Sequence, residues 1–222
     1  MDLNLEPLIN SRKVILFDLD GTLMDSFSAV LNTMLSAIQA NGFQPPEDFS
    51  FASIWGKSED EVLRDIGIPE QYIPQIREEW NRLDEQTGKE ISLYDGIPQL
   101  LRTLRENGCM LGVVTGRSDQ KTRVVPAAQA LKNHLDVYVT PDDTSRGKPY
   151  PDQIFFALEK LGAVPSQTIF IGDSIVDITA AFLADCKSIL VTWGGAKDAS
   201  GFPHQPDYVV STVDELKQLL VG

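Results

Sequence analysis

Four apolar residues, Val14-Ile15-Leu16-Phe17, run straight into Asp18-Leu19-Asp20-Gly21-Thr22-Leu23, and this junction constrains the chain more than any other segment. An apolar run closed by a glycine turn reads as a strand buried on both faces, as in parallel sheets. Its two carboxylates then stand at the carboxyl end of the strand, the edge where open parallel α/β sheets bind ligands. Carboxylates two residues apart project to the same side of an extended chain. They repel, and burying them is costly unless a cation or a shared proton offsets the charge. A metal-assisted reaction explains the pair most economically. For an isolated D-x-D-G a plain turn is the better reading, so the case rests on the rest of the chain.

The remaining segments alternate strand-like with helix-like. Short apolar runs at Met110 to Val114, Val137 to Val139, Ile169 to Ile171 and Ile189 to Val191 read as strands, with a weaker one at Tyr208 to Val210. Between them lie helical stretches with recognisable ends: Ile97 to Asn107 before Gly108, Pro151 to Gly162, Ile175 to Ala184, and Val213 to Val221 with Thr212 and Glu215 at capping-box spacing. This pattern predicts a doubly wound parallel sheet, a Rossmann-like α/β core. One block breaks the alternation. From Ser26 to about Glu90 the patterns are helical only: Phe27 to Asn41, a helix capped by Ser58 with Glu61, and Glu70 to Glu85. The stretch is far longer than one crossover needs, so it reads as an inserted helical cap domain over 26–91, with the α/β core made by 1–25 and 92–222.

Composition narrows the function. A formal net charge of −13 argues against a nucleic-acid partner, which requires a basic surface. An anionic substrate would need a site made locally positive by a cation and a few Lys or Arg. Cys109 and Cys186 have no metal-ligand spacing and read as buried free thiols. No apolar run approaches the ~20 residues that span a bilayer and the amino terminus has no leader pattern, so no membrane partner is expected and the chain reads as cytoplasmic.

Four sets of polar residues fall where strands end: Asp18 and Asp20; Thr115-Gly116; Lys148 in Gly147-Lys148-Pro149; and Asp173, Ser174 and Asp177. In a parallel sheet these loops open on one edge and converge. Each has a dull explanation, a turn, a solvated lysine or a helix N-cap, but all of them would have to coincide. Together the carboxylates make a hard, oxygen-rich site suited to Mg²⁺ rather than Zn²⁺, and His134 and His204 stand apart from it. One lysine and one hydroxyl supply what a phosphoryl group needs for positioning and charge stabilisation. A carboxylate can serve as a covalent nucleophile in phosphoryl transfer, and Asp20 is spaced to move protons beside it.

These residues resemble the haloacid dehalogenase-like hydrolases, in their phosphoglycolate phosphatase-like branch with a small helical cap. The resemblance rests on D-x-D-G-T-L at Asp18 to Leu23, Thr115, G-K-P-x-P-D at Gly147 to Asp152 and G-D-S-x-x-D at Gly172 to Asp177. It implies Asp18 as nucleophile, Asp20 as general acid and base, and a phosphate clamp of Thr115, Gly116 and Lys148. It also implies Mg²⁺ held by Asp18, the Asp20 backbone carbonyl and Asp173, with Asp177 and Ser174 in support. Asp20 favours a phosphatase, because the family's dehalogenases lack it.

Two departures stand out: Gly116-Arg117 after Thr115, and Asp185-Cys186 where the branch usually has Ala-Gly. Arg117 either brings a guanidinium near the substrate or is an ordinary turn residue. Lys57, in the loop that faces the site in relatives, either touches the leaving group or is a solvated lysine. The expected function is Mg²⁺-dependent hydrolysis of a small phosphorylated metabolite, a phosphoglycolate-type or sugar phosphate, through an aspartyl-phosphate. The alternatives are a phosphomutase like β-phosphoglucomutase and, more remotely, a phospho-aspartate signalling module. Substrate and oligomeric state are left open.

Overall fold

The computed structural model describes residues 7–11, 13–50 and 54–222. The first six residues, on which most of the leader expectation falls, lie outside them. The core is a six-stranded sheet: β1 (Val14–Phe17), β4 (Met110–Val114), β5 (Val137–Val139), β6 (Thr168–Gly172), β7 (Lys187–Val191) and β8 (Tyr208–Val210). Their order is β5-β4-β1-β6-β7-β8 and every pairing is parallel. The chain winds outward from β1 through β4 to β5, then restarts on the other side of β1 with β6. The strand order therefore reverses beside β1, where such sheets form their binding crevice.

Alternation along the central strands explains the three layers. Ile15 and Phe17 face one apolar cluster with Leu100, Leu101 and Leu104 of α4 (Ile97–Glu106) and Leu216 and Leu220 of α9 (Val213–Val221). Val14 and Leu16 face the opposite cluster, with Ile154 and Leu158 of α7 (Asp152–Leu161) and Ala180 and Ala181 of α8 (Ile175–Leu183). All four residues of β1 are at most 1 % exposed, as a strand covered on both faces requires.

The helical stretch consists of α1 (Phe27–Ala40), α2 (Glu59–Asp65) and α3 (Ile73–Thr87). It has its own apolar cluster, including Met34, Ile38, Leu63, Ile76 and Trp80. Ser58 caps α2 with Glu61 in a reciprocal capping box, as the spacing predicts. The chain enters and leaves the insert through a two-stranded antiparallel ribbon, β2 (Met24–Asp25) against β3 (Ser92–Leu93), which the apolar pattern is too short to reveal. Two further helices, α5 (Asp119–Arg123) and α6 (Pro126–Lys132), also go unpredicted. Each is under two turns or barely so, too short for a 3.6-residue period to register. The expected Glu70 to Glu85 helix is a 3-10 turn at Glu70–Tyr72 followed by α3. Among the described residues no helix is long and apolar enough to cross a membrane. Cys109 and Cys186 are free and buried.

Candidate functional site

Because β5, β4, β1 and β6 are neighbours in the sheet, the loops that follow them meet above a single edge. Lys148, from the loop after β5, reaches across this edge. Its Nζ donates to Asp18 Oδ1 and to Asp177 Oδ1, each at 2.6 Å, and its side chain is only 4 % exposed. Burial opposes the lysine's charge, but the two carboxylates hold its pKa above the ordinary value. Asp173 is fully buried beside them, and ligand oxygens of Asp18, Asp173 and Asp177 lie within 4.8 Å of one another. Ser174 and Asp177 also form the capping box of α8. The cap fixes one oxygen of Asp177 so that the other can meet Lys148.

Three clustered acids against one lysine leave negative charge uncompensated. Burial raises the Asp18 pKa to about 7, with Lys148 opposing and Asp177 adding to the rise. Burial, with the charges of Asp177 and Asp18 beside it, raises Asp173 well above the ordinary carboxylate range, against the hydrogen bonds from Gly195 and Trp55. A buried set of oxygen donors with surplus negative charge, free of histidine and cysteine, fits a hard divalent cation.

Asp20 is oriented otherwise. Its carboxylate accepts from Arg117 Nε at 2.9 Å and Arg117 Nη2 at 2.8 Å, a two-pronged pair with the guanidinium only 5 % exposed. Burial alone would raise the Asp20 pKa, but Arg117 outweighs it and holds the carboxyl below its ordinary value. Arg117 is therefore buried against Asp20 and is not a solvated turn residue. Thr115 is 1 % exposed, and its Oγ1 accepts from the Arg117 backbone N–H at 3.0 Å, setting the turn through Gly116. Gln153 is a positioning residue that sequence reasoning missed: its amide donates to Thr115 O at 3.0 Å and accepts from Lys148 N at 3.3 Å, joining two of the loops. Its position immediately after the G-K-P-x-P-D motif was the available signal.

The helical insert closes over this edge. Trp55 Nε1 donates to Asp173 Oδ2 at 2.7 Å, and the same oxygen accepts from Gly195 N at 2.5 Å. Gly56 has φ +85°, and a Cβ there would lie 2.8 Å from Ser174 Oγ, so the loop approaches the site as only glycine can. Lys57 stands at the rim, paired to Asp65 at 2.6 Å and 34 % exposed. Lys121 of α5 bridges from the core to two acids of the insert, Glu59 and Asp84, the latter at 2.8 Å. Sequence reading gave Lys121 no role, since neither partner is near it in the chain. Between insert and core lies a cavity of about 590 Å³, with Asp18, Thr115 and Lys148 on one side and Val30, Val62 and Trp80 on the other.

A family model described as haloacid dehalogenase-like hydrolase matches residues 15–191. Over 188 residues, 82% of this chain and 84% of its relative, the chain is 26% identical to a phosphoglycolate phosphatase of Xanthomonas campestris pv. campestris. It is 31% identical over 191 residues, 82% of each chain, to an N-acetylmuramic acid 6-phosphate phosphatase of Pseudomonas aeruginosa. A crystal structure of a hydrolase from Pseudomonas syringae superposes with a TM-score of 0.82 at 25% identity, covering 94% of this chain and 99% of that one.

Proposed function

The chain belongs to the haloacid dehalogenase-like hydrolases, and from that premise we propose that it is a Mg²⁺-dependent phosphatase acting on a small phosphomonoester through an aspartyl-phosphate on Asp18. The observation that carries this is the Lys148 Nζ placed 2.6 Å from both Asp18 and Asp177, with Asp173 in the same buried cluster. Phosphoryl transfer needs little covalent help from the protein beyond a nucleophile, positioning and positive charge around the equatorial oxygens. All three are gathered at this edge.

Asp18, Asp173 and the Asp20 backbone carbonyl would hold Mg²⁺, with Asp177 and Ser174 supporting. The ion, when bound, neutralises charge developing on the transferred group and on its nucleophile. Asp18 attacks phosphorus in line with the leaving oxygen, forming the acyl phosphate and breaking the ester bond. Lys148, Thr115 and the Gly116 backbone clamp the phosphoryl oxygens. Asp20 handles protons: it protonates the leaving oxygen in the first step and takes a proton from water in the second. Paired with Arg117 it is held ionised, the form that serves the second step. To act as acid in the first step it must part from the guanidinium and take up a proton from solvent; the proton it removes from water in the second step is then available for the next leaving oxygen.

The helical insert, with boundaries proposed at 26–91, covers the reaction and excludes water. Phosphatase names among relatives, for phosphoglycolate and for an amino-sugar acid phosphate, support the reaction class. The test is a screen of phosphorylated metabolites with and without Mg²⁺. The proposal requires free inorganic phosphate to accumulate and chelator to abolish it; an isomerised sugar phosphate would indicate a mutase instead.

A further inference from the structure

Trp193-Gly194-Gly195, in the loop after β7, supplies neither the nucleophile nor a metal ligand, yet it touches the catalytic turn, the acid cluster and the helical insert. Trp193 Nε1 donates to Thr22 O at 3.1 Å, in the turn that follows Asp18 and Asp20. The Trp193 ring stands edge-on to that of Tyr94, with centroids 6.2 Å apart and planes at 67°. Tyr94 immediately follows β3, the strand by which the chain leaves the insert, and its own N–H donates to Leu23 O at 3.0 Å. Two residues beyond Trp193, Gly195 N holds Asp173 Oδ2, and a Cβ on Gly195 would lie 2.1 Å from the Trp55 ring. A Cβ on Gly194 would lie 2.2 Å from Gly21 O. The loop backbone is therefore pressed between the turn and the lid, and the Trp193 side chain reaches both the turn and the stem of the insert.

Resting on the phosphatase reading above, we propose that Trp193 is a positioning residue that ties the seating of the helical insert to the alignment of the turn carrying Asp18 and Asp20. The turn is stiff: Gly21 N donates to Met24 O at 2.8 Å, and Leu23 N and Met24 N both donate to Leu19 O at 2.9 Å. A displacement imposed at Thr22 is therefore passed on to Leu19, between the two aspartates, and is not absorbed. Thr22 is 1 % exposed, so its carbonyl cannot turn to water when the indole N–H is lost, and an unmet buried acceptor is costly. The Thr22 hydroxyl also donates to Asp173 Oδ1 at 3.4 Å, which carries the same constraint to the acid cluster. On the stem side, an edge-to-face contact between rings is directional, so it transmits position as well as filling space. Misplacing a reacting group by about 1 Å costs rate steeply. Thr115 and Lys148 stand on other loops, so binding of the phosphoryl group does not pass through Trp193.

The experiment compares the full chain with Trp193→Phe, Tyr94→Leu and the double variant, using p-nitrophenyl phosphate and Mg²⁺ well below the Tm of each protein. Trp193→Phe removes the N–H and keeps most of the ring; Tyr94→Leu removes the edge-to-face partner and keeps the N–H. Each should lower kcat by about five- to tenfold with KM within about twofold. The double variant should lose no more than the worse single, because either change breaks the same link. Hydrogen exchange on the metal-free proteins gives a readout without activity: the amides of Gly21, Leu23, Met24 and Tyr94 should exchange about fivefold faster or more in each variant, with those of β1, β4 and β6 unchanged. Tyr94→Leu alone carries the test should Trp193→Phe fail to fold, since faster exchange at Gly21 and Met24 then reports a change made at the stem. Unchanged kcat, losses that multiply in the double variant, or exchange that rises evenly across the core would make Trp193 a packing residue and overturn the proposal, leaving the phosphatase reading intact. Absence of phosphate release from the unaltered chain overturns that reading, and the exchange pattern then decides by itself whether stem and turn are tied.

Discussion

The indole N–H of Trp55, in the helical insert, donates to Asp173 Oδ2 at 2.7 Å, so the lid holds one of the buried carboxylates it covers. Gly195 holds the same oxygen from the sheet side. Together they leave the Asp173 carboxylate one orientation. Groups that orient a metal ligand change metal affinity by roughly 10–100-fold when lost. Trp55→Phe should therefore raise the Mg²⁺ concentration for half-maximal activity by about tenfold. A Mg²⁺ titration followed by activity and by thermal melting checks this; identical titrations for the two proteins would make Trp55 a packing residue alone.

Lys121 predicts a second coupling between lid and core. Its side chain is 13% exposed and Asp84 is 7% exposed, so removing the lysine leaves a buried carboxylate unpaired. Lys121→Met should destabilise by about 2 to 3 kcal/mol, below the full cost of breaking a deeply buried pair because Glu59 keeps access to water. The double variant Lys121→Met, Asp84→Asn should recover part of that loss. Denaturant melts of the four proteins of this cycle measure it, and strictly additive losses would contradict the pairing.

The acid cluster makes the response to metal pH-dependent. Asp18 is pushed by burial from its ordinary 3.8 to about 7, against the pull of Lys148. A carboxyl with a raised folded pKa binds its proton more tightly folded than unfolded. Its contribution to stability is full below 3.8 and is lost as pH rises through about 7. The metal-free protein therefore weakens across that window, while Mg²⁺ binds only ionised carboxylates. The rise in Tm on adding Mg²⁺ should be larger at pH 8 than at pH 6. An equal or larger rise at pH 6 would contradict the charge balance described for the site.

Much of this arrangement was legible in the chain. The four polar motifs follow apolar runs, and strand ends in a parallel sheet share an edge, so Asp18, Thr115, Lys148 and Asp173 could be brought together from spacing alone. The parts that were not legible depend on contacts across the insert. Trp80 looks like an ordinary residue of an amphipathic helix, and Lys121 sits in a five-residue helix with no pattern of its own. Arg117 was ambiguous because a guanidinium in a turn is commonplace, and only its bidentate pairing with Asp20 places it in the site.

The Asp185-Cys186 departure has a structural consequence instead of a chemical one. Asp185 is the only non-glycine with positive φ among the described residues, at 57°. It occupies the turn that ends α8, where Cys186 N donates to Ala181 O and Asp185 N to Phe182 O. This is a Schellman cap, which favours glycine at that position. Asp185→Gly should stabilise by about 0.5 to 1 kcal/mol, or roughly 2 °C in Tm, with kcat/KM unchanged. A lower Tm would show that the aspartate side chain supplies more than the left-handed backbone costs.

The central claim is that Asp18 becomes covalently phosphorylated, and the most direct measurement is to trap that species. Rapid acid quench during turnover, followed by peptide mapping, should find an acyl phosphate on Asp18 that hydroxylamine removes. It should accumulate in Asp20→Ala supplied with p-nitrophenyl phosphate, because an activated leaving group needs little protonation while hydrolysis of the acyl phosphate still needs its base. Asp18→Asn should show no such species and lose more than ~10³-fold in rate. Phosphate release by Asp18→Asn at the wild-type rate, or an acyl phosphate mapped to another residue, would contradict the account.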